Sequence, residues 1–382
     1  MVSRRSMTND GTAGSARSIV AVSTIFPGLS KGWICGLGAM ALLVAATACS
    51  GGGGDDQSSK RAAPAERHLT FVGGELQATE RQTEAKSSVW IADPNGAHAR
   101  KLTNGFVGLL SPDGKTVAVQ RVGKGIFLVS SDGKDTKQLT AAPQLRPQAW
   151  SPDGKVVYAT ADAGNAVVRL AAIDRDTGKA KTIATGSLYG LDTSPDGKKI
   201  VYSRAPQATE QGICGDQFDL YVANLDGSGA KRITTDGLSA FPVWGDGGIA
   251  FTHFPGGTAL SDCGAAGIGT IQPDGSSRKV VIDRMTETLT LLGFYGFQPL
   301  GWLGSDKLLV GLRSDAGTEG AVLDVGSGKL RRLNKMADQA SSDGRFSLGS
   351  GGDDGNAVIV VRLADGRIVF QRKNVCCPDW NR

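Results

Sequence analysis

Side chains able to carry covalent or metal chemistry are few in this chain. Its three histidines, His68, His98 and His253, lie far apart in sequence, so no His-based metal cluster is expected. Of the six cysteines, none forms a Cys-x-x-Cys pair, the spacing a dithiol redox enzyme would use. No Gly-x-Ser-x-Gly elbow follows the leader. A phosphate-binding loop is missing too, because the Gly51–Gly54 run has no Lys-Ser/Thr after it. These residues give no ground for expecting a cofactor or a metal ion. Cys49, Cys214, Cys263, Cys376 and Cys377 remain as the positions with chemistry to offer.

Cys49 ends an uncharged, apolar run of residues 32–49, GWICGLGAMALLVAATAC, which basic residues precede. Such a run fits a signal-peptide core or a short anchor. Ala46-Thr47-Ala48-Cys49 resembles a bacterial lipobox, with Ala46 where that motif usually carries a bulkier aliphatic residue. The resemblance implies thioether lipidation of Cys49, cleavage before it and acylation of the new amino terminus. Several acyl chains, at ~0.8 kcal/mol per buried CH₂, would hold the protein on a membrane. An uncleaved anchor and ordinary secretion are the alternatives. Met7 competes with Met1 as the start. Residues 49–67 then read as a polar, Gly-rich tether.

Charge narrows the partner class. The chain holds 42 Lys+Arg and 37 Asp+Glu, a net +5. Residues 1–48 carry Arg4, Arg5, Arg17 and Lys31 against Asp10, so the mature part is nearly balanced. A dedicated nucleic-acid binder would be more basic.

Beyond residue 68 a turn recurs. Ser111-Pro112-Asp113-Gly114-Lys115 returns at 151–155 and at 194–198, with weaker copies at 245–247, 304–307 and 342–345. A second series interleaves with it, at 93–96, 131–133, 176–178, 225–227, 273–275, 326–328 and 364–366. Asp-Gly between short apolar runs is a hairpin signal, since Gly tolerates positive φ. The mean period lies in the forties, a length that suits four short antiparallel strands. No window of 12 or more residues after the leader shows a 3.6-residue stripe, so helices are not needed.

The SPDGK repeats resemble those of TolB-type bacterial β-propellers, over roughly residues 68–374. The implied fold is an all-β propeller of seven four-stranded blades, with six as the alternative, filling residues 68–382. In that family the run ending in Ser-Pro is the innermost strand of a blade. Trp150, Trp244 and Trp302, near those turns, are expected to pack between blades. The blades are placed at 68–107, 108–145, 146–188, 189–237, 238–284, 298–335 and 336–374. The tail 374–380 is expected to supply the innermost strand that the first blade lacks, leaving no free edge.

Strand parity puts both turn series on one rim and the remaining connections on the other. Insertions at 204–217, 255–267 and 285–298 therefore share a rim, where loops on a stiff scaffold carry binding. Candidate contacts are Arg204, Glu210 and Asp216, with Phe294, Tyr295 and Phe297 as aromatic anchors; capping of the blades is the other reading of those aromatics. Cys214 and Cys263 occupy matching loops and are expected to form a disulfide. Cys376 and Cys377 form a vicinal bridge or remain thiols. The expected function is binding or scaffolding of an envelope protein or other envelope ligand, on the extracytoplasmic face of a bacterial membrane, with the lipid bilayer as second partner. A propeller hydrolase or lyase acting at the axial channel, or a structural envelope component, are the alternatives.

Overall fold

The computed structural model describes residues 68–73, 87–93, 96–164, 167–207, 216–254, 266–314, 317–341, 344–351 and 357–380. These residues are organised as antiparallel sheets. In the first sheet Leu69–Gly73, Ser88–Ala92 and Arg100–Asn104 follow one another, and the C-terminal strand Val375–Trp380 pairs beside Leu69–Gly73. The second holds Gly108–Leu110, Thr116–Arg121, Gly125–Ser130 and Thr136–Thr140. A seven-stranded sheet follows, from Arg146–Trp150 to Lys231–Arg232. It is two four-stranded units sharing the long strand Ala180–Thr193, which pairs with Val168–Asp174 as far as Gly186 and with Lys199–Ala205 from Ser187 onward. Three further sheets begin at Ser239–Gly245, Phe294–Trp302 and Gln339–Ala340. The arrangement is propeller-like.

Two boundaries differ from the sequence expectation. The third unit passes into the fourth at residues 186 and 187, within one strand, so there was no turn to mark the change. The inner strand expected from residue 298 begins at Phe294. Just before it stands a helix, Glu287–Leu291, which the strands-only expectation lacked. Its five residues are too few to register as a periodic stripe. Thr286 caps it by accepting the Leu289 N–H on its hydroxyl, and Glu287 in the first turn complements the helix dipole.

Each SPDGK turn is a closed hydrogen-bond box. The Ser111 hydroxyl donates to Asp113 Oδ1 at 2.5 Å and accepts from the Thr116 N–H at 3.0 Å. Asp113 Oδ1 also accepts from the Lys115 N–H at 3.1 Å. Gly114 turns the chain at φ +70°, where a side chain would be strained. Ser151 with Asp153, and Ser194 with Asp196, repeat the pattern. The aspartates of these turns therefore have local structural work.

Apolar clusters lie between neighbouring sheets. Val72 and Val89 meet Val117 and Val119, then Ala118 and Ile126 meet Trp150 and Val157. Ala149 and Tyr158 meet Ile200 and Tyr202, and Val201 and Leu220 meet Trp244 and Ile249. Val243 and Ala250 meet Leu308 and Val310, and Leu300 and Leu309 meet Ala337 and Ala340. Leu348 and Val358 of the last sheet meet Leu69 and Phe71 of the first, so the series returns to its start. Trp150, Trp244, Trp302 and Trp380 all lie at the same level, each buried and paired with the start of the second strand. The Trp150 indole N–H reaches across to the Leu109 carbonyl at 3.0 Å. These tryptophans pack between sheets, as their spacing near the turns implied.

The tail pairs as expected. Leu69 lies opposite Trp380 as Val157 lies opposite Trp150, so the chain enters the first sheet on the rim that carries the SPDGK turns. Cys376 is buried with Val72, Val89 and Ile91.

Candidate functional site

The opposite rim carries the second-to-third strand connections. In the fourth unit the chain leaves the sheet after Ala205 and returns at Phe218; in the fifth it leaves after His253 and returns at Ala266. Both returns use one device. Phe218 forms a parallel bridge with Leu238, and Ala266 with Gly296, each partner at the start of the next sheet's inner strand. The bonds are direct: Phe218 N–H to Gly237 O at 3.1 Å, Ser239 N–H to Phe218 O at 2.9 Å, and Phe297 N–H to Ala266 O at 3.0 Å. The Thr252 hydroxyl adds a bond to Phe297 O at 3.3 Å. The feet of both insertions are thus fixed to the neighbouring sheet.

Beneath them lies a polar network. Asp219, buried, accepts the Thr234 hydroxyl at 2.9 Å and the Gly237 N–H at 3.2 Å, and pairs with Arg232. One position from Gly237, Asp236 pairs with Arg278 at 2.6 Å, and the Arg278 guanidinium lies over Phe251 at 5.5 Å. His253 sits beside these groups, its Nε2 3.7 Å from Asp283 Oδ1. An aromatic cluster adjoins them: Tyr189 meets Phe218 edge-on at 5.3 Å and Phe241 at 5.6 Å, with Phe254 packed alongside. Phe241 has φ +50°, a costly conformation for an aromatic residue, at a register shift in its strand. Backbone strain of this kind concentrates at functional sites.

Burial, and secondarily the positive charge of Arg278, push the His253 pKa below its ordinary value of 6.5. Asp283 and Asp236 act against them without prevailing. The native state therefore holds a neutral imidazole where the unfolded chain would take up a proton. Below about pH 6.5 the unfolded state binds more protons, so stability falls as pH drops and levels off below the native pKa. The His253→Gln variant is expected to lose that part of the slope. Urea unfolding of both proteins between pH 7.5 and 5 would measure it; parallel profiles would refute the assignment.

The expected contact residues fall into three groups. Arg204 is half-buried, its Nε bonded to the Thr185 carbonyl at 2.7 Å and its guanidinium 5.9 Å over Tyr221. Asp216 is buried beside Tyr189, whose phenol pKa rises through burial and then through that carboxylate. Phe294 and Phe297 are 7% and 1% exposed and belong to the core between the fifth and sixth units. That placement corrects the view of them as exposed anchors in an insertion: they belong to the inner strand, and the packing reading holds. Tyr295 stays half-buried beneath the Arg313 guanidinium at 5.6 Å. Cys49, Glu210, Cys214 and Cys263 lie outside the described residues. Sequence reasoning missed Asp219, Arg232, Arg278 and the Tyr189 cluster. Only the Gly/Ser-rich turns around them signalled anything local.

Among the described residues no group of three or more His, Cys, Asp or Glu could hold a metal ion. No helix among them is long and apolar enough to cross a membrane.

No family model matches the chain. In each of two strains, 2CP-C and 2CP-1, it is similar to the Tol-Pal system protein TolB of Anaeromyxobacter dehalogenans, 26% identical over 187 residues, covering 45% of this chain and 41% of that protein. The similarity thus spans less than half the length of those relatives. Among solved structures it resembles the tricorn protease at a TM-score of 0.56 (13% identical, 82% of this chain, 36% of the other). A prolyl endopeptidase matches at 0.54 (12% identical, 83% and 49%), and an oligogalacturonate lyase in complex with manganese at 0.52 (16% identical, 82% and 86%). At such identities the likeness is one of fold. The chain is a β-propeller-like protein distantly related to TolB-like proteins.

Proposed function

We propose that this chain is a seven-bladed propeller, lipid-anchored through Cys49 on the extracytoplasmic face of a bacterial membrane, that binds or scaffolds an envelope protein or another envelope ligand. The observation that carries the binding reading is the repeated parallel bridge at the feet of two insertions on one rim. A stiff body that spends backbone hydrogen bonds on fixing loop feet is built to present loop tips. The count of seven is supported by dividing the shared strand Ala180–Thr193 at Gly186 between two four-stranded units. Similarity to a protein named for the Tol-Pal system supports the envelope setting. In this reading Cys214 and Cys263, a few residues before the pinned positions Phe218 and Ala266, join the two loops by a disulfide.

Crosslinking of the protein in its native envelope, read by mass spectrometry, tests the binding face. Crosslinks are expected around residues 204–217, 255–267 and 285–293, the part of the third connection that precedes the inner strand at Phe294. A concentration of them on the SPDGK rim would overturn the reading, and a substrate captured within the axial channel would favour a propeller hydrolase or lyase instead.

A further inference from the structure

We infer that the outermost strand of each unit is a strap on the next. A triplet near its start holds the third-to-fourth strand turn of the neighbouring unit at two points, so the units are coupled in one direction along the series of sheets. The first position of the triplet is basic and the third apolar. That spacing recurs at Arg100-Lys101-Leu102, Lys137-Gln138-Leu139, Lys181-Thr182-Ile183 and Lys231-Arg232-Ile233.

The basic side chain crosses to the turn. Lys137 Nζ donates to the Asp176 carbonyl at 2.7 Å, Lys231 Nζ to the Asp274 carbonyl at 3.0 Å and Lys181 Nζ to the Asp226 carboxylate at 2.9 Å. Arg100, Lys279 and Arg331 reach the carbonyls of Ser131, Val325 and Leu363 in the same way. Donor and acceptor are 31 to 46 residues apart, too far for one hairpin, so every strap ends in a different unit from its own. Two residues after the cation, the strand closes over the glycine of that turn. A Cβ on Gly178 would stand 2.2 Å from the Leu139 carbonyl oxygen, and one on Gly227 would stand 2.7 Å from the Ile183 side chain. Both glycines also hold positive φ, so the turn chemistry and the close approach require the same residue.

Where the last sheet meets the first, the device changes chemistry. The corresponding triplet is Ile368-Val369-Phe370, so an exposed isoleucine stands in the place of the cation. The third position keeps its role: the Phe370 ring lies 1.9 Å from where a Cβ on Gly96 would stand. Arg372, two residues further along the strand, lies over Trp90 at 4.6 Å and over Phe71 at 5.2 Å, and Phe370 is 6.4 Å from Phe71. The junction that joins the two ends of the fold is therefore held by ring contacts, which need no exposed hydrogen bond.

Native-state hydrogen exchange of the full-length protein tests the coupling. The Gly178 N–H donates to the Asp174 carbonyl at 2.9 Å in the turn that Lys137 holds, and the Gly133 N–H donates to the Ser130 carbonyl at 2.8 Å in the turn of the unit to which Lys137 belongs. Lys137→Met is expected to speed exchange at Gly178 about threefold and to leave Gly133 unchanged. Lys101→Met, which removes an exposed cation from the middle of a triplet, is expected to change neither. At the closing junction Phe370→Ala is expected to speed exchange at Gly96, whose N–H donates to the Asp93 carbonyl at 2.7 Å, on the order of tenfold, and Ile368→Ala to leave it unchanged. No change at Gly178 in Lys137→Met, equal acceleration at Gly133, or the same effect from Lys101→Met would overturn the strap. An unchanged Gly96 in Phe370→Ala, or an equal effect from Ile368→Ala, would overturn its apolar form.

Discussion

Removing the chain from Val375 onward is expected to abolish the cooperative unfolding transition. Val375–Trp380 is the innermost strand of the first sheet, and it is supplied from the far end of the chain. Its loss exposes Leu69, Phe71, Val72 and Val89, all fully buried, and frees the hydrogen-bonding edge of Leu69–Gly73. It also removes Asp379, whose Oδ2 accepts the Leu110 N–H of the second sheet at 3.1 Å, and Pro378, whose carbonyl accepts from Gln339 at 3.3 Å. Both neighbours lose contacts at once. The milder change Trp380→Ala is expected to cost about 3–5 kcal/mol, the usual range for a buried tryptophan. Chemical denaturation followed by tryptophan fluorescence and far-UV circular dichroism checks both. A truncated protein that unfolds cooperatively near the parent's denaturant midpoint would show that the tail merely decorates the fold.

Asp192→Ala is expected to destabilise by about 3–5 kcal/mol, since two buried N–H groups lose their acceptor. Asp192 is 1% exposed; its Oδ1 accepts the Thr193 N–H at 2.8 Å and its Oδ2 the Trp244 N–H at 2.7 Å. The second bond ties the inner strand of the fourth unit to that of the fifth. Asp379 makes the equivalent bond to Leu110 between the first and second sheets. Asp196→Ala, four residues away in an exposed turn, removes bonds that water can replace and is expected to cost about 1 kcal/mol. The contrast is the informative result: similar losses from the two variants would mean that Asp192 acts only within its own strand.

Much of the fold was legible because its signals are short-range. A Ser-x-Asp-Gly-Lys box closes within five residues, from Ser111 to Thr116, so its residue types have to appear in order along the chain. Tryptophan just before such a turn is likewise a local mark of the inner strand's end. The aromatic run 294–297 misled because β-bulges at 294–296 and 299–301 break the two-residue alternation by which a strand is recognised. The Asp219 network, the Arg278–Asp236 pair and the bridge from Phe218 to Leu238 left no such trace.

What the sequence determined by itself is the repeat, the turn chemistry, the strand number per unit and the closing role of the tail, since each follows from contacts among near neighbours or from a count. The tertiary structure decided which aromatic residues face inward, which carboxylates are buried acceptors and on which rim the strand Leu69–Gly73 begins. Those depend on groups brought together from far along the chain, as Asp192 is with the Trp244 N–H 52 residues on, and a backbone donor has no residue type by which a sequence could announce it.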